Sequence, residues 1–192
     1  MHLHFPRLTI ITRHQEIANH INTHLSVTSH ALTYGDGSVG SDRLRDALSA
    51  YMNTTAFRPL KPLQRSDVTI LAGVSSVIDS LASCLCEPGQ GILLGRPAHV
   101  GFISDLVNRA RVKPVLVSFN RRSHASEASI NPTSLEAVKC YEDALNDANL
   151  NGTPVRALLL CHPHNPFGTF YPPEAMEAYL RLCSKYDIHF IS

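Results

Sequence analysis

Neither sign of charge predominates: 17 Lys+Arg stand against 16 Asp+Glu, a formal net charge of +1. That balance leaves no electrostatic footprint for nucleic acid and no polybasic face for anionic membranes. No apolar run approaches the roughly 20 residues that a membrane-spanning helix needs. Met1 to Arg7 hold no long apolar stretch and no small-residue cleavage site, so a cytoplasmic protein is expected. Cysteine is sparse and odd in number: Cys84, Cys86, Cys140, Cys161 and Cys183. All sit in apolar stretches, which favours buried free thiols in a reducing compartment over a disulfide framework. Cys84 and Cys86 have the wrong spacing for a zinc knuckle and no second pair. No Gly-x-x-x-x-Gly-Lys-Ser/Thr occurs, which excludes a P-loop nucleotide site.

What is present is an ordinary globular balance, 44% hydrophobic and 17% charged over 192 residues. That length suits one domain with a sizeable core. Short apolar runs at Val68–Ala72, Gly91–Gly95, Val112–Phe119, Val155–Cys161 and Ile188–Ser192 read as strands. Helical periodicity falls between them: Ile78, Leu81, Ala82 and Leu85; Phe102, Leu106 and Ala110; Val138, Tyr141, Leu145 and Ala148; Met176, Tyr179, Leu180 and Cys183. Thr133 and Glu136 have capping-box spacing, and Pro173 suits a first helical turn. Two helices precede this region, one around Gln15 to Leu25 and one from Ser41 to Met52. The polar stretch Asn120 to Thr133, with Arg121, Arg122, Ser123, Ser126 and Ser129, reads as an exposed connection. Near-continuous apolar strands alternating with helices predict an α/β fold, a mostly parallel sheet with helices on both faces.

Several segments carry chemistry-bearing residues. Gly35-Asp-Gly-Ser-Val-Gly40 matches the dinucleotide pattern, but a poor strand precedes it and no acid ends the next strand. A glycine-rich turn competes with an NAD-type oxidoreductase there. Gly73-Val-Ser-Ser76 lies between strand and helix, where backbone N–H groups bind anions; a plain N-cap is the simpler alternative. His99 follows the strand 91–95, at the end where parallel sheets bind ligands, although a lone loop histidine is often structural. His162 and His164 lack an acidic partner, so no metal site is assigned. Asn165-Pro-Phe-Gly168 follows the strand 155–161 and reads at least as a turn.

In combination these stretches resemble the class I/II aminotransferases, pyridoxal-phosphate enzymes of fold type I. The resemblance is strongest to 1-aminocyclopropane-1-carboxylate synthase-like members. Four ordered stretches carry it: Ala31 to Arg45, Leu71 to Gly89, Gly91 to Phe102, and Ala157 to Ser192. It implies an incomplete pyridoxal-phosphate-binding large domain over 31–192, with 1–30 a remnant of the small domain or arm. The implied cofactor is pyridoxal 5'-phosphate. Gly73, Val74 and Ser75 match the turn that holds its phosphate. Asn165 matches the asparagine that hydrogen-bonds its phenolic oxygen, and His99 stands where relatives stack a tyrosine on the ring. Tyr34 matches a segment that reaches the other subunit's site. The implied partners are an α-amino acid substrate and a second subunit, either in a homodimer or as a full-length relative that this chain joins as a non-catalytic module. Relatives of this kind also imply a setting in specialised metabolism.

The resemblance also implies residues that do not appear. The family's aspartate follows a strand matching Ile188–Ser192, and its Schiff-base lysine comes later still. Lys61, Lys113, Lys139 and Lys185 do not match that lysine. The chain is therefore expected to be truncated, to hold no catalytic residue and to be inactive alone.

Overall fold

The computed structural model describes residues 7–56, 59–119 and 129–192. Arg121, Arg122, Ser123 and Ser126 of the expected connection lie outside the described residues. The chain forms two compact units, one ending at Ile70 and the other beginning at Leu71.

In the first unit, α1 (Arg7–His24) covers the first expected helix. A short 3-10 turn, His30–Leu32, takes the place of any strand before Gly35. α2 (Asp42–Tyr51) starts after Ser41, whose hydroxyl accepts from the Leu44 N–H. Asp36 caps the same end, accepting from the Asp42 N–H at 2.9 Å and meeting His30 Nε2 at 3.0 Å. The backbone donor, then His30, hold the Asp36 carboxyl below its usual range. The expected strand at Val68–Ala72 is not in the sheet. Its backbone is used elsewhere: Val68 O accepts from Arg45 Nε at 2.7 Å, beside Arg65 O, which accepts from Arg45 Nη2 at 2.9 Å. Arg45 is 9% exposed, so these carbonyls satisfy a nearly buried cation. Gly40 is required here: its φ is +101°, and a Cβ would meet Ile70 Cβ at 2.6 Å.

The second unit is the predicted parallel sheet. Its strands are β1 (Gly91–Gly95), β2 (Lys113–Val117), β3 (Val155–Leu159) and β4 (His189–Ile191), in spatial order β2-β1-β3-β4. Every pairing is parallel. Alternate side chains enter two cores. Ile92, Leu94, Ala157 and Leu159 pack with Ile78 and Ala82 of α3 (Gly73–Leu85) and Phe102 and Leu106 of α4 (Gly101–Val107). Leu93, Val117 and Leu158 pack with Tyr141 and Leu145 of α5 (Ala137–Leu150) and Ala175 and Tyr179 of α6 (Pro173–Tyr186). Helices thus cover both faces, as the continuous apolar strands require.

Local expectations fail in three further places. Thr133 does not cap a helix: its N–H and hydroxyl both donate to Asn131 Oδ1, at 3.1 and 3.0 Å, and α5 begins only at Ala137. On α6, Leu180 is exposed and Leu182 enters the core instead. Among the described residues no cysteine is in a disulfide, but Cys84 is exposed. Burial pushes the Cys183 thiol up to about 11, so it behaves as a small apolar group.

Two features fix α5. Tyr141 presents its hydroxyl to Gly95, where an added Cβ would collide with it. Glu142 joins α5 to α6, accepting from Lys185 Nζ at 2.7 Å, Lys139 Nζ at 3.1 Å and Tyr186 Oη at 3.1 Å. These donors, Lys185 first, lower its pKa from 4.5 to about 2. Its contribution to stability is then full above pH 4.5 and is lost as pH falls toward 2. Glu142→Gln is expected to lower Tm at pH 7, with the gap to wild type closing across that acid window; an equal gap at pH 2.5 and 7 contradicts the assignment. Gly95→Ala is expected to cost about 1–3 kcal/mol by overpacking, part of which Tyr141→Phe restores in denaturant titrations.

Candidate functional site

In a parallel sheet all carboxyl ends lie on one side. There β1 passes into the loop from Arg96 and β3 into the loop from Leu160. α3 precedes β1 through a short connection and runs back against it, so its first turn lies at that same side. Ligands of open α/β sheets bind outside these carboxyl ends.

Gly73 opens α3 at φ +83°, with nothing within 4 Å of where a Cβ would stand. Ala72 holds the N-cap position and no side chain caps the helix. The Gly73 N–H donates to Leu71 O at 2.9 Å, and the first-turn N–H groups after it remain able to face an anion. Val74 and Ser75 are exposed beside them. The Ser75 hydroxyl donates to Asp105 Oδ2 of α4 at 3.1 Å.

His99 precedes α4. Its exposed imidazole lies over Gly101, where a Cβ would approach Nε2 to 2.8 Å, and meets the Phe102 ring edge-on at 5.3 Å. Asn165 is exposed on the loop after β3. The two loops meet around a cavity of about 10 Å³ whose lining includes Pro97, Ala98, Tyr141, His164, Asn165 and Tyr171. Gly73, Val74, Ser75, His99 and Asn165 thus all lie at the carboxyl side of one sheet. Tyr34 belongs to the first unit, where its ring is fully exposed. Among the described residues no cluster of His, Cys, Asp or Glu is arranged for a metal, and no helix is long and apolar enough to cross a membrane.

Sequence reasoning misses two neighbours. Asp105 pairs with Ser75 across 30 residues of chain, a relation no local pattern encodes. His164 suggests at most a metal ligand in the sequence, yet its role is in packing. It is 5% exposed, stacks on Phe167 at 4.8 Å and adjoins Tyr171. Its N–H donates to Thr169 O at 2.8 Å, and its carbonyl accepts from Gly168 at 2.6 Å. It thereby pins the turn that displays Asn165. Its Nδ1 is buried with no partner, and burial lowers its pKa below 6.5.

An uncapped helix start, a loop imidazole and a loop amide gather at one end of the sheet, where α/β folds receive ligands. Comparison narrows the class: the family model described as "Aminotransferase class I and II" matches residues 11–192. The chain belongs to that family. The probable aminotransferase gliI of Aspergillus fumigatus is 32% identical over 161 residues, covering 84% of this chain and 36% of that protein. A human protein named "Probable inactive 1-aminocyclopropane-1-carboxylate synthase-like protein 2" is 32% identical over 152 residues, covering 79% of this chain and 26% of that one. The solved structure of an archaeal alanine:glyoxylate aminotransferase shares the fold at a TM-score of 0.66 and 18% identity, over 92% of this chain and 39% of that one. The chain spans about a third of the length of the curated relatives it matches.

The family's cofactor is pyridoxal 5'-phosphate, and the residues here fit it. The N–H groups after Gly73 could meet a phosphate, the exposed His99 face a ring, and the exposed Asn165 amide an oxygen.

Because His164 is neutral in the fold and takes a proton more readily when unfolded, its contribution is full above pH 6.5 and falls as pH drops toward its lowered folded value. The His164 ring signals, followed by NMR, are expected to titrate below 6.5. Titration at or above that value contradicts the buried placement.

Proposed function

We propose that this chain is the cofactor-binding part of a pyridoxal-phosphate aminotransferase that acts on an α-amino acid. The carrying observation is the gathering of Gly73–Ser75, His99 and Asn165 at one end of one parallel sheet. When bound, the cofactor supplies an electron sink for carbanion chemistry at the substrate α-carbon. In this reading the α3 turn binds the phosphate through N–H groups. His99 covers one face of the ring, and the Asn165 amide donates to the phenolic oxygen. Pro166 and the packed His164 hold that amide in place.

The lysines of the second unit support binding without covalent attachment. Lys113 opens β2 and reaches Thr153 Oγ1 at 3.3 Å, at the amino end of the sheet. Lys139 and Lys185 are both engaged by Glu142. None of these three amines belongs to the carboxyl-end loops. The reading therefore assigns the chain reversible cofactor binding and no turnover by itself.

Equilibrium dialysis with pyridoxal phosphate, followed by borohydride treatment and intact-mass measurement, tests both parts. Saturable binding without a stoichiometric lysine adduct is expected. Asn165→Ala should weaken binding about tenfold, the worth of one hydrogen bond to a charged oxygen. A stoichiometric adduct accompanied by transamination overturns the inactive reading, and absence of any saturable binding overturns the cofactor reading.

A further inference from the structure

We propose that Asp105 sets how tightly the α3 turn holds a phosphate, by competing for the single hydroxyl proton of Ser75. The inference rests on the reading above, that this turn receives the cofactor phosphate, and adds a positioning residue to it. Ser75 is exposed in the first turn of α3, and Asp105 is half-buried on α4. Ser75 Oγ donates to Asp105 Oδ2 at 3.1 Å. Among the described residues neither side chain has another hydrogen bond, and Asp105 has no ion pair. The cation nearest in sequence, Arg109, is taken by Asp79 of α3 at 3.1 Å.

A serine hydroxyl has one proton to give. A phosphate monoester at neutral pH carries nearly two negative charges and mainly accepts. It cannot take the Ser75 proton while Asp105 holds it. If Ser75 turns toward the phosphate, the Asp105 carboxylate is left unpaired beside a like charge, which opposes binding. Either way the site has the backbone N–H groups of the turn, but not the full worth of its nearest hydroxyl. Asp105 thus keeps the turn a weak receptor that releases a phosphate ligand readily. Asparagine at this position has the same shape, no charge and an amide donor that can face a phosphate or the Ser75 oxygen.

The test is equilibrium dialysis of the 192-residue chain with pyridoxal phosphate, inorganic phosphate and pyridoxal in turn. Wild type, Asp105→Asn, Asp105→Glu, Ser75→Ala and the Ser75→Ala/Asp105→Asn double variant are compared. Asp105→Asn is expected to tighten pyridoxal phosphate and inorganic phosphate about tenfold, the scale of one charge-assisted hydrogen bond, and to leave pyridoxal unchanged. Asp105→Glu should stay near wild type. Ser75→Ala should cost about tenfold in the Asp105→Asn chain and several-fold less than that in the wild-type background.

Asp105→Asn that binds no tighter, a pyridoxal shift as large as the phosphate shift, or an equal Ser75→Ala loss in both backgrounds overturns the proposal. Pyridoxal phosphate bound by wild type but unchanged by Asp105→Asn removes only the role of Asp105. No saturable binding by any of these chains removes the functional reading with it. Should Asp105→Asn fail to fold, Ser75→Ala decides alone: a loss above about fivefold in the wild-type background contradicts the competition.

Discussion

The space beside Gly95 governs the candidate site. Gly95 ends β1 without a side chain, and the Tyr141 hydroxyl occupies the room a Cβ would need. Tyr141 then meets Tyr179 edge-on at 5.0 Å, and Tyr179 meets Tyr171 at 5.9 Å. Tyr171 abuts His164, whose ring stacks on Phe167. A continuous row of rings therefore runs from the end of β1 to the turn that displays Asn165. Edge-to-face contacts of this kind add modest energy but strong directionality. Burial drives the hydroxyls of Tyr141, Tyr171 and Tyr179 far above their ordinary acidity range, so the row stays neutral and apolar. The loop after β3 is held by this packed row and not only by its own backbone.

The candidate site is built mainly from hydrogen-bonding groups that are not carboxylates. It has helix-start N–H groups, one hydroxyl, one imidazole and one amide. The acid present, Asp105, is tied to the hydroxyl. Lys139 of α5 and Lys185 of α6 meet at Glu142, on the face of the sheet that α3 and α4 do not cover.

Much of this is legible in the chain without its structure. A parallel strand buried on both faces needs apolar residues at nearly every position, so Gly91–Gly95 identifies itself, as does Val155–Leu159 apart from its exposed Arg156. Glycine and proline mark the two loops that carry His99 and Asn165. Val68–Ala72 has the same β-rich look, yet a distant arginine claims the carbonyls of Val68 and Arg65, a tertiary demand that local composition does not contain. Thr133 has the spacing of a cap, but Asn131 lies two residues earlier and takes both of its donors. The Ser75–Asp105 pair joins two helices 30 residues apart, and only the packing of α3 on α4 makes them neighbours.

Tryptophan is absent from the chain, so its ultraviolet emission comes from tyrosine. Tyr141 and Tyr171 border the small cavity beside Asn165 and couple through Tyr179 at ring separations of 5.0 and 5.9 Å. At such distances excitation passes readily from one ring to the next. An aromatic ligand held between the two loops would drain that shared excitation. The packed row that fixes the Asn165 turn would thus also act as an optical antenna, through which such a ligand would be read without a label.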